Sequence, residues 1–251
     1  MASVRQVLKE LQAVADPARR PGMASVGINV ERALGVSVPN LRKLAKRFGP
    51  DHELASALCA TGIQEARLLA TMVDDPANVT PDQMESWVVG VDSWDVCDHM
   101  CGNLLDKTPF AAAKAREWSE RPEEFVKRAA FSLMAELAVH DKAAGDRVFE
   151  RFLPLIRRGA TDERSAVKKS VSWSLRQIGK RDAHLNTKAI ATAERLRTMD
   201  SRSARWIGAD ALRELRSDAV QQRQSTTASG RGAPRPVLGA GAGTDRRPAA
   251  R

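Results

Sequence analysis

The chain has 251 residues, with 40 Lys and Arg against 31 Asp and Glu, a formal net charge of +9, 4% aromatic residues, no tyrosine and three cysteines. That length buries one or two cores without disulfide or metal staples, and an odd cysteine count with no secretory pattern excludes a disulfide framework and points to a reducing compartment. No stretch approaches the roughly 18 apolar residues of a membrane span, so a soluble, cytoplasmic protein without membrane attachment is expected.

Almost every segment carries helical period and few show strand alternation. Val4, Val7, Leu8, Leu11 and Val14 form one apolar stripe, stopped at Asp16-Pro17. Ser37 is placed to cap a helix with Pro39 in its first turn and Leu41, Leu44 and Ala45 facing inward, and Gly49-Pro50 ends it. Thr80-Pro81-Asp82-Gln83 reads as a capping box, followed by Met84, Trp87, Val88 and Val91 on one face. A new helix is expected to begin at Asp92, with Asp92 and Asp95 serving its N-terminal cap and first turn. Three strong helices follow over 123–139, 165–178 and 203–215.

These last three resemble one another. Val126-Lys127-Arg128 aligns with Val167-Lys168-Lys169 at an offset of 41, and Leu212-Arg213-Glu214-Leu215 repeats Leu175-Arg176-Gln177-Ile178 at an offset of 37. A period near 40 in helical sequence predicts an all-α HEAT-like solenoid, in which stacked helix pairs share one core. The second helix of each pair would line a concave groove. Beyond Arg216 the composition turns to Gln, Ser, Thr, Gly, Pro and Arg, so 1–216 is read as the helical domain and 217–251 as a disordered tail, which carries six Arg and two Asp. Charge alone is balanced between a solvated basic surface and binding to nucleic acid.

The chemistry-bearing residues concentrate in two segments. In Val91-Asp92-Ser93-Trp94-Asp95-Val96-Cys97-Asp98, helical spacing puts Trp94 and Asp98 on one face; in Lys168-Lys169-Ser170-Val171-Ser172-Trp173-Ser174-Leu175-Arg176 it does the same for Trp173 and Arg176. A π-surface beside a carboxylate suits a cationic, planar ligand. The bland alternatives are that Asp98 is a solvated or inter-repeat polar group and that the tryptophans are core. Trp173 has Lys169 and Arg176 on its own face, which a core residue would not favour, whereas Trp87, Trp118 and Trp206 are read as core. Cys97, His99 and Cys101 lie close in sequence, but a tetrahedral site needs four ligands and His99 points away from the two thiols, so no metal is expected.

Asp92-Ser93-Trp94-Asp95-Val96-Cys97-Asp98, Phe125-Val126-Lys127-Arg128-Ala129-Ala130 and the segment around Trp173 and Arg176, taken in that order, resemble the AlkD-type DNA alkylation repair glycosylases over about 23–215. The resemblance implies hydrolysis of the N-glycosidic bond of N3- and N7-alkylated purines in duplex DNA, without extruding the base and without a cofactor. It implies that Asp98 is the catalytic carboxylate, that Trp94 and Trp173 contact the lesion nucleotide, and that Arg128 and Arg176, with Lys127, Lys168 and Lys169 beside them, contact the DNA backbone. A monomer bound to DNA, and so associated with the nucleoid, follows. In one place the chain departs from the family's pattern: Val26 falls where several relatives carry an aromatic residue, commonly tyrosine. A non-catalytic HEAT-like module that binds DNA or a protein is the alternative; it is disfavoured as a pure protein scaffold because the candidate groove positions are Arg, Lys and Trp rather than apolar.

Overall fold

A computed structural model describes residues 2–230, all of them in helices, turns and loops. Helix α1 (Val4–Ala13) is capped by Ser3 and buries Val7 and Leu11; α2 (Arg20–Ser25) and α3 (Val38–Phe48) follow, the latter capped by Ser37 with proline in its first turn. Next come α4 (His52–Ala60), α5 (Gln64–Val73) and α6 (Pro81–Val89). The hydroxyl of Thr80 accepts from the Gln83 amide at 3.1 Å, but the Gln83 side chain donates to Asp74 at 2.7 Å. Only half of the expected capping box is therefore made.

The middle of the chain forms α7 (Trp94–Asn103), α8 (Ala111–Trp118), α9 (Glu124–His140), α10 (Asp146–Glu150) and α11 (Leu153–Gly159). The last part forms α12 (Ser165–Gly179), α13 (Ala183–Arg197), α14 (Arg202–Leu215) and α15 (Asp218–Gly230). Helices α9, α12 and α14 start 41 and 37 residues apart, the offsets that the sequence repeat carries. One row of packed neighbours runs α5, α7, α9, α12, α14, and α4, α8, α11 and α13 pack behind its members. The buried core is continuous from Val7 to Leu215, as expected when each helix pair can bury its apolar face only against the next.

Close approach and buried hydrogen bonds fix the N-terminal end of this stack. Gly35 sits at φ 81°, and a Cβ there would lie 2.0 Å from the Asp16 carbonyl oxygen, so the loop after α2 tolerates only glycine. The buried carboxylate of Glu65 accepts backbone N–H groups of Leu34, Gly35 and Val36 at 2.7, 2.6 and 3.2 Å. Three amide donors satisfy a charge that would otherwise be costly to bury, and they clamp this loop onto α5.

Three expectations need correction. Helix α7 begins at Trp94 with Ser93 as its N-cap. Asp92 instead pairs with Arg67 at 2.8 Å and accepts from Asn29 at 2.8 Å, while Asp95 accepts from Ser93 Oγ and Gln64 Nε2. Asp92 therefore ties the Asn29 loop and α5 together rather than capping the helix, whereas Asp95 stands in the first turn as expected and also reaches Gln64 on α5. Trp118 is fully buried and Trp87 packs against the core, but Trp206 is 44% exposed. Its helix buries Ala204, Ile207, Gly208, Ala211 and Leu215, and Trp206 lies off that stripe.

The tail also differs from expectation over 218–230, where α15 folds onto α13 and α14. Val220 is buried, and Gln221 and Gln224 donate to the carbonyls of Leu215 (2.6 Å) and Gly179 (3.5 Å). Glutamine side chains thus satisfy helix C-terminal carbonyls that apolar periodicity alone would not reveal. The rest of the expected tail, 231–251, lies outside the described residues.

Candidate functional site

The N-terminal halves of α7, α9 and α12 enclose a cavity of about 510 Å³, lined by Val26, Trp94, Asp98, Phe125, Arg128 and Lys169 among others. Trp94 and Asp98 reach it from α7 because they are one helical turn apart. The segment carrying Val26 is brought across by Asn29, whose backbone N–H donates to Ser93 Oγ at 3.2 Å and whose side chain holds Asp92. Trp94 completes the closure by donating its indole N–H to the Val26 carbonyl at 3.0 Å. That bond anchors the indole, which lines the cavity.

Asp98 is the most constrained acid of the cavity. Arg128 Nε and Nη2 donate to its two oxygens at 3.1 and 2.6 Å, and Ser132 Oγ donates at 2.8 Å. Arg128, only 5% exposed, spends its remaining Nη1 on the Ala166 carbonyl of the next repeat at 2.7 Å. Burial works against the guanidinium charge, but the Asp98 carboxylate outweighs it and raises the arginine's pKa further. The guanidinium carbon lies 5.9 Å from the Trp94 ring centroid, within cation–π range. Asp98 keeps 22% of its side-chain surface exposed, against 7% for Arg128. The carboxylate is therefore an oriented anion with one edge open to the cavity.

The same row of α9, every fourth residue from Arg128, continues through Ser132 to Glu136 and His140. Burial, with Asp106 and Asp98 nearby, pushes the Glu136 carboxyl up to about 7 despite the opposing charges of His140 and Lys107. His140 Nδ1 meets Asp106 Oδ2 at 2.5 Å, and donor atoms of Asp106, Glu136 and His140 fall within 4.8 Å of one another. Cys97 and Cys101 direct their thiols at the Phe125 and Ala129 carbonyls, at 3.7 and 3.6 Å. Both are packed against α9.

Four of the residues expected from the sequence thus meet in one cavity: Trp94, Asp98, Arg128 and Lys169. Trp173 is half-buried on α12, one turn beyond Lys169, and is not among the residues lining the cavity. Arg176 is engaged by Glu214 at 2.5 Å and Asp210 at 3.5 Å, and Lys127 by Asp162 at 3.6 Å. Lys168 places its ammonium 5.0 Å from the Trp206 ring centroid. Arg128 was expected to hold a phosphate near the acid, but in the structure its donors go to Asp98 itself and Ala166. Ser132 was missed by the sequence reading; the signal was a lone polar residue four positions past Arg128 in a run that is otherwise apolar.

The model of the family described as "DNA alkylation repair enzyme" matches residues 7–215. A solved structure described as "a new family of proteins related to the HEAT-like repeat DNA glycosylases with affinity for branched DNA structures" is similar at a TM-score of 0.71 and 20% identity, covering 85% of this chain and 96% of that one. A designed armadillo repeat protein in complex with the peptide (KR)4 covers 88% of both chains at 12% identity and a TM-score of 0.36. No curated protein matches the chain. The family match takes in the cavity and every repeat that builds it, and the fold is that of the HEAT-like repeat neighbour: the chain belongs to the DNA alkylation repair enzyme family.

Proposed function

We propose that the protein is a DNA glycosylase that hydrolyses the N-glycosidic bond of N3- or N7-alkylated purines in duplex DNA. The observation that carries this reading is the Asp98 carboxylate, fixed by Arg128 and Ser132 and open at the cavity beside the Trp94 π-face.

The chemistry fits what those groups can do. Alkylation at N3 or N7 makes the purine cationic, so when the C1′–N bond breaks its electron pair neutralises the base, and no acid is needed to protonate the leaving group. Positive charge passes to the deoxyribose. Asp98 faces that charge as a pre-oriented anion; water then forms the new C1′–O bond and loses its proton to solvent. Trp94 holds the cationic nucleotide against its ring, worth about 0.5–2 kcal/mol depending on desolvation. Trp173, one turn beyond Lys169 on α12, would contact the same nucleotide, and Lys169, with Lys168 and Arg176 on α12 and Lys127 and Arg128 on α9, would contact the DNA backbone. The base stays in the duplex and the chain acts as a monomer without a cofactor.

Two observations favour a second reading, a DNA-binding module without turnover: both oxygens of Asp98 are already bonded to Arg128, and Val26, which lines the same cavity as Trp94, offers no π-face. Incubation of enzyme in excess with DNA carrying 7-methylguanine or 3-methyladenine separates the two. Free base is expected in a single turnover; binding with neither base released leaves only the module.

A further inference from the structure

We propose that Trp206 and Lys168 form a second nucleotide site, outside the cavity, that takes an unstacked nucleobase on the indole face and the adjoining phosphate on the ammonium. This deepens the DNA-binding reading above and rests on it.

Four large hydrophobic residues are exposed among the described residues: Val14, Val26, Val89 and Trp206. Trp206 is the only aromatic of the four. It is exposed because it lies off the stripe that α14 buries. Ala204, Gly208 and Ala211 let α13 approach so closely that a Cβ on Gly208 would lie 2.5 Å from the Ala193 carbonyl oxygen. The ring is not left unsupported, since the Lys168 ammonium stands 5.0 Å from its centroid. A cation on one side polarises the indole and holds its orientation, while the exposed remainder of the ring can still take a flat partner.

The charge pattern points to a polyanion. Along α9 and α12 and at the C-cap of α12, Lys127, Arg128, Arg176 and Lys180 all have carboxylate partners. Lys168 and Lys169 have none among the described residues. Lys169 lines the cavity and Lys168, its chain neighbour, faces Trp206. Two uncompensated ammonium groups therefore link the cavity to the exposed indole, a run matched by successive phosphates. A π-face beside a cationic track is the arrangement that stacks bases of single-stranded nucleic acid. Bases inside a paired duplex already have both faces covered, so the occupant is a base freed at an end, a gap or a junction.

The test uses the full chain and a fluorescently labelled blunt duplex, compared with the same duplex carrying a single-stranded extension. Wild type should bind the extended DNA at least about 5-fold more tightly, the gain expected from stacking one base. Trp206→Ala should abolish that difference and leave affinity for the blunt duplex and base release from it unchanged. Trp206→Phe should keep most of the difference. Lys168→Gln should lower the slope of log affinity against log salt by about one phosphate contact. No preference in wild type, or a preference that survives Trp206→Ala, overturns the site. Failure of wild type to bind either DNA overturns the DNA-binding reading itself.

Discussion

The bond between Asp98 and Arg128 makes an asymmetric prediction about stability. Both charges sit between α7 and α9, but unequally: Arg128 keeps 7% of its side chain exposed and Asp98 keeps 22%. Removing one partner of a buried pair costs about 3–5 kcal/mol, because the other charge is left without compensation. Asp98→Ala leaves the more deeply buried guanidinium with only the Ala166 carbonyl as hydrogen-bond partner, so a loss of about 4 kcal/mol is expected. Arg128→Met leaves a carboxylate that can rehydrate at the cavity and still accepts from Ser132, so about 2 kcal/mol is expected. The double variant should fall close to Arg128→Met alone, which puts the coupling near 4 kcal/mol. Urea denaturation of the four proteins measures this directly, and melting temperature should fall by roughly 8–16 °C for Asp98→Ala, at about 2–4 °C per kcal/mol for a chain of this size. Equal losses for the two single variants, or losses below about 1 kcal/mol for both, would show that the pair does not hold these helices as described.

Glu136 gives a pH dependence. Its carboxyl is raised from 4.5 to about 7 in the folded protein, so its contribution to stability is complete below the unfolded pKa and is lost as pH rises through 7. Glu136→Gln should flatten the decline in stability between pH 5 and 8 and stabilise the protein at pH 8, by about 3 kcal/mol at most; a decline as steep as that of wild type contradicts the assignment. Gly208→Ala should cost about 1–3 kcal/mol, despite the better helix propensity of alanine, because the added methyl meets the Ala193 backbone rather than a side chain that can move. Calorimetry that finds a neutral or stabilising change would refute that packing argument. Deleting 217–251 should lower the melting temperature, since Val220 and the Gln221 donor to Leu215 are lost, and should flatten the salt dependence of DNA affinity by removing six arginines. An unchanged melting temperature would restore the reading of 217–230 as unstructured.

The fold was legible where periodicity carries it. Offsets of 41 and 37 residues locate α9, α12 and α14 because each helix must present the same buried stripe to its neighbour. Trp94 and Asp98 were legible for the same reason, one turn of a helix. Contacts between helices were not: that Arg128 would spend its fork on Asp98 and Ala166, or Ser132 complete the carboxylate's shell, depends on the register between α7, α9 and α12, which no local pattern encodes. Trp206 was misread because a tryptophan is usually core, whereas the stripe that α14 buries runs through Ala204, Ile207, Gly208, Ala211 and Leu215 and leaves position 206 outside it. The helix at 218–230 was missed because it is held by glutamine side chains reaching carbonyls as well as by one valine.

The central claim is that the Asp98 charge stabilises the sugar cation. At about 4 Å and an effective dielectric near 20, a carboxylate stabilises a unit positive charge by about 4 kcal/mol. Arg128, about twice as far away, takes back about half, which leaves about 2 kcal/mol, or roughly 30-fold in rate. The direct measurement is single-turnover release of 7-methylguanine from duplex DNA by wild type and by Asp98→Asn, at saturating enzyme and at a temperature where both are folded. A fall of roughly 30-fold or more, with DNA affinity retained, is predicted. An Asp98→Asn enzyme that releases base as fast as wild type contradicts the account.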